Sequence, residues 1–203
     1  MLTLNDKIII LLDNGHGIDT SGKCSPDKSL LEYKWAREIT NRLHDELAHE
    51  GIASELIVKE EKDVPLATRC CRANDIYKKA KQTGKTCALI SVHINAATNA
   101  GWSNATGWTV WVANNASNAS KLLAQTLYQQ AEKKSLQGNR CVPSCKYWEA
   151  GFYILKNTNM PAVLTENLFM TNKQEVAYLL SEKGKQEIVN LHVEGIKEYI
   201  AKL

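Results

Sequence analysis

Lys7-Ile-Ile-Ile-Leu-Leu-Asp-Asn-Gly-His-Gly17 is the stretch on which the architecture turns. The unbroken Ile/Leu run reads as a buried strand, and Asn14-Gly15-His16-Gly17 reads as the tight loop into which it empties. Downstream, from about Lys28 to Glu50, apolar residues recur at Leu31, Trp35, Ile39, Leu43 and Leu47. That spacing of four predicts an amphipathic helix stopped at Gly51. A strand followed by a helix of this length is the opening of an α/β unit.

The remainder repeats the alternation. Ser54 to Val58 reads as a short strand, and Pro65 opens a second helix that ends near Gly84. Cys87 to Val92 is nearly all apolar, as expected of a central strand covered on both faces. Gly107 to Ala113 alternates Trp and Val like a strand, and Leu122 to Ala131 is helical. Gly151 to Leu155 and Ala162 to Thr165 read as further strands. Asn172 to Leu180 and Glu182 to Leu203 read as a short and a long helix. The prediction is one α/β domain over residues 1–203, a twisted, mostly parallel or mixed sheet of about six strands flanked by helices.

Bulk properties narrow the function. With 25 basic and 22 acidic side chains in 203 residues, the formal charge of +3 does not point to nucleic acid. No segment reaches the roughly 18 apolar residues of a membrane span. Met1 to Lys7 lacks a charged region leading into an apolar one. The expectation is a protein released as a cytoplasmic lysin, or one whose leader was trimmed. A chain of this size buries a core without metal or disulfide staples, so a bound metal would serve chemistry. Of six cysteines, only Cys141-x-x-x-Cys145 has a notable spacing, read as a loop disulfide or free thiols. Asn-x-Ser/Thr triplets at Asn104, Asn115 and Asn118 fall in a polar stretch, Ala96 to Ala119, that surrounds one strand and is read as a polar loop near the site.

Four residues could carry chemistry. His16 follows the first strand between two glycines that permit a sharp turn. His93 ends the central strand, and ligands gather outside the carboxyl ends of strands in open α/β sheets. Glu32 opens the first helix. Two imidazoles and one carboxylate would make a three-ligand zinc site with an open position. Glu166 runs off an apolar strand, where partial desolvation would raise its pKa toward general-base range. Each also has an ordinary reading: a polar loop residue for His16, a satisfied core histidine for His93, and a loop acid for Glu166. Ser29-Leu-Leu-Glu32 matches a capping box, which would explain Glu32 as well. His44, His49 and His192 read as solvated. Asp13 or a backbone carbonyl is a candidate to orient a ligand imidazole, and Asn95 and Arg69 to touch substrate, though helix packing or a surface ion pair explains Arg69 equally.

Five motifs in order carry a resemblance: Leu12-Asp-Asn-Gly-His-Gly17 with the Glu32 helix, Pro65-Leu-Ala-Thr-Arg-Cys-Cys-Arg-Ala-Asn74, Leu89-Ile-Ser-Val-His-Ile-Asn-Ala96, Leu155-Lys-Asn-Thr-Asn-Met-Pro-Ala-Val-Leu-Thr-Glu-Asn167 and Phe169-Met-Thr-Asn172. With them the chain resembles the zinc-dependent N-acetylmuramoyl-L-alanine amidases, in the catalytic domain often called amidase 3. The resemblance implies Zn2+ on His16, Glu32 and His93, Glu166 as catalytic acid/base, and a peptidoglycan substrate met as a monomer at the cell wall, in the periplasm or outside the cell. The alternatives are another zinc amide hydrolase (peptidase or deacetylase) and a non-catalytic wall-binding module. The chain departs from the family at Ile18, where a second glycine usually follows Gly-His-Gly. It departs again at Glu166-Asn-Leu-Phe169, where Glu-Cys/Gly-Gly-Phe is usual. Trp102 to Trp148 matches poorly.

Overall fold

The computed structural model describes residues 5–98 and 101–203. Met1–Leu4, part of the start read as lacking a charged region before the apolar one, and Asn99–Ala100, part of the stretch read as a polar loop, lie outside them. Six strands form one sheet in the order β2-β1-β3-β6-β4-β5. They are β1 (Ile8–Asn14), β2 (Ser54–Leu56), β3 (Thr86–Asn95), β4 (Thr109–Val112), β5 (Trp148–Glu149) and β6 (Ala162–Phe169). β2, β1, β3 and β6 are parallel, β4 is antiparallel to β6, and β5 runs parallel to β4. The mixed α/β sheet matches the predicted class.

Strand alternation sends side chains to two cores. On one face Ile8, Ile10, Leu12, Ala88, Ile90, Val92 and Val110 pack against α1 (Glu32–His49), α3 (Asn118–Lys133), α5 (Lys173–Leu180) and α6 (Glu182–Ala201). On the other, Leu11, Cys87, Leu89 and Leu164 meet α2 (Leu66–Gln82) and the short α4 (Tyr153–Lys156). Helix α1 buries Trp35, Ala36, Ile39, Leu43 and Leu47, the predicted stripe. Gly195 of α6 lies where a Cβ would meet Leu127 of α3 at 2.7 Å, so its missing side chain lets the two helices close. Among the described residues no helix is long and apolar enough to cross a membrane.

Sequence-based expectations of the fold fail for one strand and, among the histidines read as solvated, for His192 and His44. The strand predicted over 151–155 is the single turn α4, in which the Leu155 and Lys156 amides both donate to the Phe152 carbonyl. Its neighbours Ile154 and Leu155 are both buried in the second core, which a helical turn allows and strand alternation does not. The clearest case among the histidines is His192, expected in solvent. It is 0 % exposed, its two ring nitrogens placed at Ile188 O (2.9 Å) and Thr165 Oγ1 (3.1 Å). Burial pushes its pKa down to about 4, so the ring is neutral. His44 is also half-buried, 2.7 Å from Ser54 Oγ, while His49 is exposed as expected.

Candidate functional site

The loop after β1 is built by close approach. The Gly15 amide donates to Val92 O at 3.0 Å, prolonging the β1–β3 contact. A Cβ on Gly15 would collide with the His93 imidazole, and one on Gly17 with the Asp63 backbone. The glycines are needed for space, while the left-handed turn falls on His16 itself, at φ 62°. That conformation costs a non-glycine residue on the order of 1–2 kcal/mol. Two guanidiniums offset it by donating to the His16 carbonyl: Arg37 Nη1 at 3.0 Å and Arg69 Nη2 at 3.3 Å.

Arg69 is buried and wholly engaged. Its Nε donates to Val64 O, Nη1 to Asp13 Oδ1 (2.7 Å) and to Asn14 O, and Nη2 to Asp63 Oδ1 (2.8 Å). Asp13 also accepts from Ser91 Oγ at 2.6 Å. Asp13 therefore holds Arg69, not a ligand imidazole, and Arg69 forms a buried ion pair where a surface one was expected. Asn95 Oδ1 is turned back to the Ala96 amide.

Glu32 is the first residue of α1 and is 1 % exposed. The capping box expected for it does not form: Leu31 is the N-cap without a side-chain bond, and Ser29 Oγ donates to Asp27. A bridge between Cys24 and Leu31, with the Glu32 amide donating to Lys23 O, swings the carboxylate inward instead. Its Oε1 lies 3.1 Å from His93 Nδ1 and accepts from the Ile94 amide at 3.0 Å. Its Oε2 lies 3.4 Å from His16 Nε2 and has no hydrogen-bond partner. Burial opposes charge on Glu32, but the two imidazoles prevail and hold it far below the ordinary carboxylate range. For His93 burial likewise works against the charged form, and Glu32 outweighs it, raising the pKa.

The ligand atoms of His16, Glu32 and His93 all lie within 4.8 Å of one another, with the imidazoles edge to face at 5.0 Å. An orphaned, buried carboxylate oxygen between two imidazole nitrogens is costly unless a cation completes it. The donor set, two nitrogens and one oxygen, suits zinc with one position open.

His93 on β3 and Glu166 on β6 are direct partners in the register, and Thr109 on β4 flanks Glu166 from the other side. Glu166 and His93 therefore point from the same face into one cavity of about 410 Å³, which His16 also lines. Glu166 Oε2 is sealed from solvent without a partner. Burial, aided by the Glu32 charge, pushes its pKa up to about 7 against the pull of His93, Lys23 and Arg140. A carboxyl so poised can take and return a proton near neutrality. Val64, Pro65, Leu66, Phe152, Tyr153 and Ile154 form the cavity's apolar wall.

The unusual Glu166-Asn-Leu-Phe169 segment forms a bulge. The register slips between His93 and Asn95, and Leu168 sits at φ 66°, where the family's usual glycine would be unstrained. Asn167 occupies the slack: Nδ2 donates to His93 O (2.9 Å), and Oδ1 accepts from Trp108 Nε1 (2.7 Å). Sequence reasoning missed Asn167 and Arg37. All six cysteines, Cys141 and Cys145 included, are free thiols.

A family model described as N-acetylmuramoyl-L-alanine amidase matches residues 10–198. Among named relatives, "Probable cell wall amidase LytH" of Staphylococcus epidermidis is 30% identical over 198 residues, covering 95% of this chain and 58% of its own length. The endolysin of Bacillus phage SPP1 is 27% identical over 196 residues, covering 95% of this chain and 66% of its own. The chain thus spans less than two thirds of either relative. The crystal structure of N-acetylmuramoyl-L-alanine amidase from Clostridium difficile 630 superposes with a TM-score of 0.81 at 26% identity, covering 96% of this chain and 97% of that one. On the match across residues 10–198, the chain belongs to the N-acetylmuramoyl-L-alanine amidase family.

Proposed function

We propose that residues 1–203 act as one zinc-dependent amidase domain, cleaving peptidoglycan between the lactyl group of N-acetylmuramic acid and the L-alanine of the stem peptide. His16, Glu32 and His93 are the metal ligands in this reading, and Glu166 is the catalytic acid/base. The observation that carries it is the placing of Glu166 beside His93 in the strand register, within the cleft that the three-donor cluster borders. A zinc ion held by such ligands supplies Lewis acidity and a water acidified toward pKa about 7. Glu166 accepts the proton of the attacking water, then returns it to the departing alanine nitrogen, which could not leave as an amide anion. Its partnerless, buried Oε2 suits that traffic, since no fixed donor competes for it. Arg37 and Arg69 keep the His16 loop in place through its carbonyl.

Relatives named for a cell wall amidase and for a phage endolysin support action at the cell wall or outside the cell. The test is digestion of purified peptidoglycan with mass analysis, with and without chelator. A new free amino group on L-alanine, lost on chelation, is expected. Cleavage elsewhere in the stem would make the protein a peptidase, and acetate release a deacetylase. Binding without any cleavage would make it a wall-binding module.

A further inference from the structure

Arg140 is a half-buried guanidinium with no hydrogen bond or ion pair among the described residues. It rests instead on two indoles, its Cζ 5.9 Å from the Trp111 ring centre and 5.7 Å from that of Trp148. Those rings lie 6.0 Å apart, and Trp111 also meets Phe152 edge to face at 5.7 Å, with Phe152 lining the catalytic cleft. Trp111 is anchored by donation from Nε1 to Thr109 Oγ1 at 3.1 Å, and Thr109 is the strand neighbour of Glu166. The platform therefore runs outward from the proton-transferring carboxyl to the cation. The loop carrying Arg140 is pinned from its neighbour: Asn139 accepts from the Thr106 amide (3.1 Å) and donates to Asn104 O (2.8 Å).

A cation held over aromatic rings makes no hydrogen bond to them, so the N–H donors of this guanidinium stay unused. A partly desolvated, pre-positioned fork without a partner suits a planar carboxylate held bidentately. On a muropeptide the lactyl carboxyl is consumed in the bond to be cut, so free carboxylates near that bond belong to the peptide. The first one met is the α-carboxylate of a second-position glutamate linked through its γ-carboxyl. Resting on the amidase reading above, we propose that Arg140, seated on Trp111 and Trp148, is a specificity subsite for that carboxylate and favours stems that keep it free over stems in which it is amidated.

The test uses two muramyl tripeptides, C-terminally amidated, that differ only in carboxylate or carboxamide at that α-position. The wild type should prefer the carboxylate by about tenfold to a hundredfold in kcat/KM, the range for a hydrogen-bonded charge. In Arg140→Gln the preference should collapse to near unity, and Arg140→Lys should keep part of it. Calorimetry with the released peptides, which cannot be cleaved again, should show the same discrimination in the wild type and its loss in Arg140→Gln. Equal loss on both tripeptides would mark Arg140 as acting through the fold or through its pull on the Glu166 proton, and no loss would mark it as idle; either overturns the subsite while leaving the amidase reading intact. Arg140-dependent binding of the carboxylate peptide without cleavage of either tripeptide would keep the subsite and remove the amidase reading.

Discussion

His93 and Glu166 are register partners on adjacent parallel strands, one inside the three-donor cluster and the other outside it. The pairing sets a candidate metal ligand and a candidate proton carrier side by side, and β4 limits Glu166 from the far side through Thr109. Both strands are central and buried, so neither side chain can drift without disturbing the sheet. The bulge at Leu168 begins just past Glu166, which turns the chain away once the carboxyl has been placed.

If Glu166 carries the proton, removing it should spare the metal and stop turnover. Glu166→Gln is expected to bind one zinc and to lose kcat by at least about a hundredfold to ten-thousandfold, the usual share of general acid–base catalysis. Metal analysis beside a muropeptide assay checks it. Near-normal turnover would take Glu166 out of its role.

Glu166 also predicts a pH effect on stability in chelated protein. Its folded pKa of about 7 lies above the ordinary 4.5, so the folded state holds the proton more tightly than the unfolded one. The resulting stability is complete below pH about 4.5 and is lost as pH rises through about 7. Above that, charged Glu166 should cost on the order of a few kcal/mol, which Glu166→Gln relieves. Urea unfolding at pH 8 should find the variant more stable than the wild type, with the gap closing near pH 4.5. A constant gap would contradict the assignment.

Arg69→Met should be among the most destabilising single changes. It strips the Asp13 carboxylate, 1 % exposed, of its cation and leaves the His16 carbonyl to Arg37 alone. Breaking a buried ion pair from one side costs about 3–5 kcal/mol. The double variant Asp13→Asn/Arg69→Met should recover part of that loss in urea unfolding. Simple additivity of the two single changes would show that they do not act as a pair.

Much of this was legible in the chain. Ile8–Leu12 and Cys87–Val92 announce buried strands by unbroken apolarity, and α1 by its spacing of four. The failures have local causes. Phe152-Tyr-Ile-Leu155 is a short apolar run, for which periodicity does not separate strand from helical turn. The Ser29-x-x-Glu32 pattern is a valid capping box in composition, but the Cys24–Leu31 bridge, a tertiary contact, turns Glu32 the other way. His192 was misplaced although a signal existed: it falls four residues from both Ile188 and Ile196, on the buried stripe of α6. The mutual approach of His16, Glu32 and His93 has no signature in spacing, because three separate elements bring them together.

His93→Ala should abolish zinc retention, because it removes one of three donors and leaves Glu32 Oε1 held by the Ile94 amide alone. The loss should appear both in metal content and in thermal stability, since a ligand that binds only the folded state raises the melting temperature. Unchanged zinc stoichiometry would refute that ligand.

The most direct measurement is X-ray absorption at the zinc edge of the purified, metal-loaded wild-type chain. The account predicts a first shell of nitrogen and oxygen only, at about 2.0–2.2 Å, from two imidazoles, one carboxylate and solvent. A sulfur scatterer at about 2.3 Å would place the metal on the free cysteines instead and contradict it, as would a sample that retains no zinc.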